Sequence, residues 1–319
     1  INKLLLMNSL LFPGQGSQVV GMGSDLYNNF GIVKKIFQEA DEKLQFSISK
    51  IILNGPEDQL QLTENTQPAI LIVSYSIFKI LEKELNLDIK NFKFFAGHSL
   101  GEYSALVCSN SLNFEDALYL LKERGKAMQE AVPVGMGAMI AILGTNINEL
   151  EKLKKLRKKN SGVCEIANDN SEGQVIISGD KEDIYSLGVL LKENKIKYIP
   201  LKVSAPFHCS LMNEAAEKMK EKINNVKFNN PILKIISNVN AKPENDPDKI
   251  KELLIKQIYS TVKWRESLIY MAKEKVKNFI EIGPGKVLSG MVKRTIKDAN
   301  SFSINTIADI NNLKNELKK

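Results

Sequence analysis

The strongest constraint on how this chain can fold is the pentapeptide Gly97-His98-Ser99-Leu100-Gly101. It fits the G-x-S-x-G pattern, in which a serine stands on a sharp turn between a strand and a helix. The flanks agree. Phe92-Lys93-Phe94-Phe95-Ala96 is an apolar run of strand length, and Glu102-Tyr103-Ser104-Ala105-Leu106-Val107 reads as a helix. Glycines on either side of the serine let backbone segments approach closely. Such a turn lifts Ser99 Oγ clear of a sheet and sets it at a helix N-terminus, where amide N–H groups stabilise developing negative charge. The same residues also describe a plain glycine-bounded turn with a capping serine.

The histidine count narrows the chemistry. The chain has two, His98 and His208. His98 is inside the turn and reads as structural or pocket-lining, so serine–histidine chemistry would draw on His208 as its base. His208 follows Ala205-Pro206-Phe207, and Pro206 disfavours helix at Ala205, so this is a loop entering a helix. A lone histidine is also a common structural residue. Cys209, next in sequence, is a thiol nucleophile candidate, but neighbouring side chains point different ways.

The 319 residues suffice for one large domain or two smaller ones. Strands alternating with helices predict an α/β domain of the hydrolase-like kind, with a mostly parallel sheet. Helices are expected at 32–45, 68–86 and 114–132, then at 211–225, 248–259 and 264–275, with strands at 233–237 and 277–282. Between these stretches the rhythm changes. Strand 138–143, helix 148–159, strands 163–167 and 174–178 joined by an Asn/Asp/Ser/Gly turn, a helix capped by Asp180, and strand 195–200 give βαββαβ, the ferredoxin-like order. The expectation is a discontinuous large domain, 1–133 and 205–319, with a small ferredoxin-like domain inserted at 134–204. A cleft between two such units is a preferred place for a ligand.

Two further residues carry information. Arg124 has Leu120, Leu121, Ala127 and Met128 one turn away on either side, which puts it on the apolar stripe of its helix. A guanidinium there needs an anion, and a bound carboxylate suits its planar fork. A salt bridge within the protein, or a side chain reaching to the surface, would serve as well. Gln15, in Gly14-Gln15-Gly16, sits where a backbone N–H can face a ligand. With the Leu100 N–H it would make a two-donor oxyanion hole; alternatively the segment is an ordinary strand-end turn.

Composition excludes several classes. No apolar run is long enough to cross a bilayer, and the opening residues 1–7 lack the pattern of a secretory signal. The three cysteines are scattered and have no metal-ligand spacing, which points to a reducing compartment. The net charge of +7 is compatible with nucleic acid, a membrane surface or an acidic protein partner. Lysine greatly outnumbers the four arginines, a skew of base composition that weakens a nucleic-acid reading, and the basic run at 152–159 reads as a solvated helix face.

Taken in order, Phe12-Pro13-Gly14-Gln15-Gly16-Ser17-Gln18, Gly97-His98-Ser99-Leu100-Gly101-Glu102, Arg124-Gly125-Lys126-Ala127-Met128-Gln129, Ala205-Pro206-Phe207-His208 and Glu281-Ile282-Gly283-Pro284-Gly285-Lys286-Val287-Leu288 resemble the bacterial malonyl-CoA:acyl-carrier-protein transacylases. The acyltransferase domains of polyketide synthases share much of the pattern. The resemblance runs over about 10–305. It implies a two-step acyl transfer in which Ser99 attacks malonyl-CoA, His208 takes the proton, and the Gln15 and Leu100 N–H groups hold the oxyanion. Arg124 would hold the malonyl carboxylate, and Phe207 would crowd a methyl on the α-carbon. A backbone carbonyl in Val262-Lys263-Trp264 would orient His208; members often carry Gln where this chain has Lys263. Asn168 resembles a cleft-lining position. The partners implied are malonyl-CoA, as substrate and not cofactor, and an acidic phosphopantetheinylated acyl carrier protein, with no metal, nucleic acid or membrane. A cytoplasmic monomer serving fatty-acid synthesis is the expectation. A polyketide transferase, a serine thioesterase or esterase, and a carrier-docking module with a relict site are the alternatives.

Overall fold

The computed structural model describes residues 7–84, 86–156, 162–203 and 205–316. The opening residues 1–6, the end of the expected 148–159 helix with part of its basic run, and position 204 at the expected small-domain boundary lie outside them.

Among the described residues, ten strands form two sheets. They are β1 (Asn8–Phe12), β2 (Phe94–Gly97), β3 (Gly137–Leu143), β4 (Cys164–Ser171), β5 (Gln174–Asp180), β6 (Lys197–Pro200), β7 (Ile235–Ile236), β8 (Pro243–Glu244), β9 (Asn278–Ile282) and β10 (Asn300–Ile304). The first sheet runs β10-β9-β1-β2-β7-β8 and is parallel except for β8 at its edge. Every residue of β2 is buried, as expected of a central parallel strand covered on both faces. The parallel sheet feeding a serine turn is the α/β arrangement expected of the sequence.

The second sheet is antiparallel, in the order β4-β5-β3-β6. With helices Ile147–Lys155 and Lys181–Glu193 it makes the ferredoxin-like βαββαβ unit, around its own core of Ile140, Ile142, Leu150, Val175, Ile177 and Leu187. Two local expectations need correction. Residues 168–170 form no turn: β4 continues through them with two bulges, and the Asp169 and Asn170 side chains pair outside the sheet with Arg265 and His98. Asp180 precedes its helix, but its carboxylate accepts from the Val163 N–H at 2.6 Å and caps nothing.

The two sheets are joined through β4. The Val262 N–H donates to the Ala167 carbonyl at 2.8 Å, and the Asp169 N–H to the Val262 carbonyl at 3.0 Å. Helix packing sets the rest of the site. Helix Thr63–Glu84 lies against helix Phe114–Glu130, and Gly125 permits the contact: a Cβ there would sit 2.5 Å from Glu64 Cα. That close approach brings Gln67 beside Arg124.

Candidate active site

The serine turn is built from both sides. At Gly97 a Cβ would lie 1.9 Å from the Gly101 carbonyl carbon, and at Gly101 it would lie 2.2 Å from the Phe12 oxygen. Only glycine lets this strand–helix corner fold onto β1. The Ser99 N–H donates to Asn238 Oδ1 at 2.7 Å, and Asn238 Nδ2 donates to the Gly97 carbonyl at 2.8 Å, so one asparagine clamps the turn. Ser99 holds φ at +53°, a left-handed conformation that costs a non-glycine residue energy and occurs where surrounding structure enforces it.

His208, also at positive φ (+56°), points at the serine: Ser99 Oγ to His208 Nε2 is 2.8 Å. The other ring nitrogen, Nδ1, is 2.9 Å from the Gln257 carbonyl oxygen. A carbonyl only accepts, so Nδ1 carries the proton and Nε2 is free to accept from the serine hydroxyl. Burial lowers the imidazole to about 3, helped by the nearby Arg124 cation and by His98, against the opposing Gln257 hydrogen bond. The histidine is therefore a neutral base.

The residue that orients His208 is Gln257, not Lys263. The Lys263 carbonyl accepts from the Ser267 N–H at 3.0 Å and Ser267 Oγ at 2.8 Å, as the start of helix Trp264–Lys273 requires. Gln257 closes helix Pro247–Gln257, where carbonyls lack their helical partners and stay available. Helix pattern alone marks that carbonyl as spare, but nothing local says it faces His208.

Arg124 is 1% exposed, so it does not reach to the surface. Among the described residues no carboxylate lies within ion-pair distance of it. Its partners are two neutral amide oxygens and the nucleophile: Gln67 Oε1 at 2.7 Å, Gln257 Oε1 at 2.9 Å and Ser99 Oγ at 3.2 Å. Its Nε has no partner. The Glu102 carboxylate acts on it electrostatically from beyond contact, so the guanidinium has no anion in direct contact among the described residues and is a candidate for binding one.

These groups open into a cavity of about 870 Å³. Its lining includes Gln15, Ser99, Leu100, Arg124, Asn168, Phe207 and His208, but not Lys263. Among the described residues, no protein acceptor takes the Gln15 or Leu100 N–H. His98 also lines the cavity, with Nε2 2.8 Å from Asn170 Oδ1 and its ring edge-on to Trp264. Cys209 is fully buried, its thiol donating to the Pro206 carbonyl at 3.1 Å, and burial pushes it up to about 11, so it is no nucleophile. Gln67, Asn170, Asn238 and Gln257 are the site residues that sequence reasoning missed. Among the described residues no cluster of His, Cys, Asp and Glu could hold a metal ion, and no helix is long and apolar enough to cross a membrane.

Comparison with known proteins places this geometry. The model of the acyl transferase domain family matches residues 10–318. A malonyl CoA-acyl carrier protein transacylase of Bacillus subtilis is 44% identical over 298 residues, 93% of this chain and 92% of that protein. The crystal structure of an acyl carrier protein S-malonyltransferase from Vibrio cholerae superposes with a TM-score of 0.92 at 40% identity, covering 96% of this chain and 99% of that one. A malonyl-transacylase solved with its type II polyketide synthase acyl carrier protein gives 0.93 at 36% identity, covering 97% and 99%.

Proposed function

The chain belongs to the acyl transferase domain family, and we propose that it moves malonyl groups from malonyl-CoA to the phosphopantetheine thiol of an acyl carrier protein, through an ester on Ser99. The observation that carries the reading is Arg124, a buried guanidinium with no carboxylate partner, 3.2 Å from the nucleophile.

Each step follows from the site. His208 Nε2 takes the Ser99 proton as Oγ attacks the thioester carbonyl, and the Gln257 carbonyl stabilises the imidazolium that forms. The tetrahedral oxyanion is held by the Gln15 and Leu100 N–H groups, both on residues that line the cavity. The intermediate collapses, the CoA sulfur leaves with the proton from His208, and the malonyl ester remains. The carrier's thiol then gives its proton to His208, attacks the ester carbonyl and takes the acyl group, and Ser99 recovers its proton. Throughout, Arg124 pairs the free carboxylate. An acetyl group leaves that cation unpaired, which is how the site would select. Phe207 stands against an α-methyl, and Asn168 lines the same cavity.

A generic serine esterase has no use for a buried arginine in its acyl pocket, so that alternative is not favoured. Malonyl-CoA is a substrate here and no cofactor is needed. We place 134–204 as a small domain on a large one, as its separate core suggests. A cytoplasmic monomer supplying fatty-acid synthesis completes the proposal; three buried cysteines outside any disulfide suit such a compartment.

The test is intact-mass measurement after exposure to malonyl-CoA, then to holo carrier protein. A single malonyl adduct on Ser99 that the carrier removes supports the transferase. Continuous CoA release without carrier would mean hydrolysis, and no adduct would leave only a docking module.

A further inference from the structure

Glu102 stands one turn beyond the nucleophile, 3% exposed, in a site where the transfer as described uses no protein carboxylate. A glutamate three residues after a serine ordinarily caps its own helix by reaching back to the backbone. This one does not. Its Oε2 turns outward from the helix and accepts from Gln257 Nε2 at 2.8 Å and from the Asn238 N–H at 3.2 Å. Both residues touch the catalytic centre directly: Asn238 holds the Ser99 N–H, and Gln257 holds His208 with its main-chain oxygen and Arg124 with its side-chain oxygen.

We propose that Glu102 is a positioning residue for the acyl transfer, fixing the side-chain amide of Gln257, the residue whose main-chain oxygen holds the base and whose side-chain oxygen holds the carboxylate clamp. The argument is a matter of donors and acceptors. A terminal amide has an accepting end and a donating end, and nothing in its shape chooses between them. An ionised carboxylate only accepts, so Gln257 must offer it the NH2 end and must therefore turn its oxygen to Arg124. The opposite orientation would set NH2 against the guanidinium and oxygen against the carboxylate. The Ser99 carbonyl at 3.1 Å and Asn238 Oδ1 at 3.3 Å pull the same way, over longer distances and without charge.

The charge state of Glu102 then becomes a property of the site. Burial raises its carboxyl to about 7, against the lowering effects of the Asn238 and Gln257 hydrogen bonds and of Arg124. The ionisable groups facing it are Arg124, from helix Phe114–Glu130, and Tyr103, from its own helix. Once protonated, Glu102 loses the charge that fixes the NH2 end of Gln257, and Arg124, which only donates, is left to hold the orientation from the oxygen end with the two weaker acceptors. His208, lowered to about 3, does not titrate in that range.

The inference rests on the acyl-transfer reading, and its test separates the two. The burst of CoA released on acylation of Ser99 by malonyl-CoA is followed from pH 5.5 to 8.5 in wild type, Glu102→Gln, Glu102→Ala, Gln257→Ala and the Glu102→Ala/Gln257→Ala double variant. The wild-type rate is expected to fall about three- to tenfold on acidification through pH 7, the scale of one charge-assisted hydrogen bond. Glu102→Gln is expected to sit near the lower level at every pH, with no inflection. The double variant is expected to be no slower than the slower single one, because both act through the same side chain. An inflection that survives in Glu102→Gln, or losses that multiply in the double variant, overturns the assignment; the glutamine variant keeps it testable even if the alanine one does not fold. Wild type that gives no burst refutes malonyl transfer instead. The same variants are then compared with a serine-directed fluorophosphonate, which reads Ser99 and His208 without a malonyl group: slower labelling of Glu102→Gln sustains the inference, and equal labelling ends it.

Discussion

The two sheets bring different things to one cavity. The parallel-sheet part supplies Ser99, His208, Arg124, Gln257 and both candidate oxyanion donors, held by a buried polar network with short hydrogen bonds. The antiparallel part supplies walls: Met139, Asn168, Asn170, Gln174 and Ile176 line the opening, and none of them hydrogen-bonds to the nucleophile or the base. The difference teaches where substitutions should abolish chemistry and where they should only reshape it. Residues that meet developing charge have no slack, whereas wall residues trade volume and a hydrogen bond or two.

The largest effect that would break this division is Ser99→Ala, which is expected to abolish the malonyl adduct in intact-mass measurement; an adduct persisting on another residue would move the chemistry elsewhere. Phe207→Ala tests the border between the two kinds of residue. Removing its bulk should raise the rate with methylmalonyl-CoA relative to malonyl-CoA by about tenfold, the value of roughly one methyl group in a pocket. An unchanged ratio would detach Phe207 from specificity. The smallest effect belongs to the wall. Asn170→Ala removes the partner of His98 Nε2 and should lower stability by about 1 kcal/mol in urea unfolding, while changing kcat less than about threefold. A loss of kcat as large as those of the parallel-sheet residues would show that the walls share in the chemistry.

The pH dependence sharpens the same contrast. His208 works as a neutral base, and its lowered position means that the neutral form persists as pH falls, until about 3. Acylation in Glu102→Gln should therefore stay flat from pH 8 to 5. A limb near 6.5 in that variant would mean a histidine at its ordinary value, hence less buried or less well held than the structure shows.

Much of this was legible in the chain. The serine turn, with glycines at 97 and 101 that no other residue could replace, announced the strand–helix corner and marked Ser99 as the candidate nucleophile. Arg124 was legible as a misplaced charge on an apolar stripe. The ferredoxin-like order followed from periodicity, although polar residues 168–170 imitated a turn while continuing a bulged strand. The two-residue strand β8 carried no alternation to detect. The orientation of His208 was not legible for a physical reason. It depends on a main-chain oxygen, which leaves no trace in residue identity; the resemblance pointed to Lys263, and only the fold sets the Gln257 carbonyl against the ring. Gln67, Asn170 and Asn238 were hidden likewise, because a neutral amide has many uses and its role comes only from what the fold sets beside it.

The central claim is that a buried guanidinium beside the serine selects the acyl group. Its most direct test is acylation of Ser99 by malonyl-CoA and acetyl-CoA in competition, with the products weighed, in wild type and in Arg124→Ala. Losing one partner of a buried charge pair predicts a drop of about 10²- to 10³-fold in kcat/KM for malonyl-CoA, with acetyl transfer kept or gained, so that the preference collapses. Undiminished preference for malonyl in the Arg124→Ala protein would contradict the account.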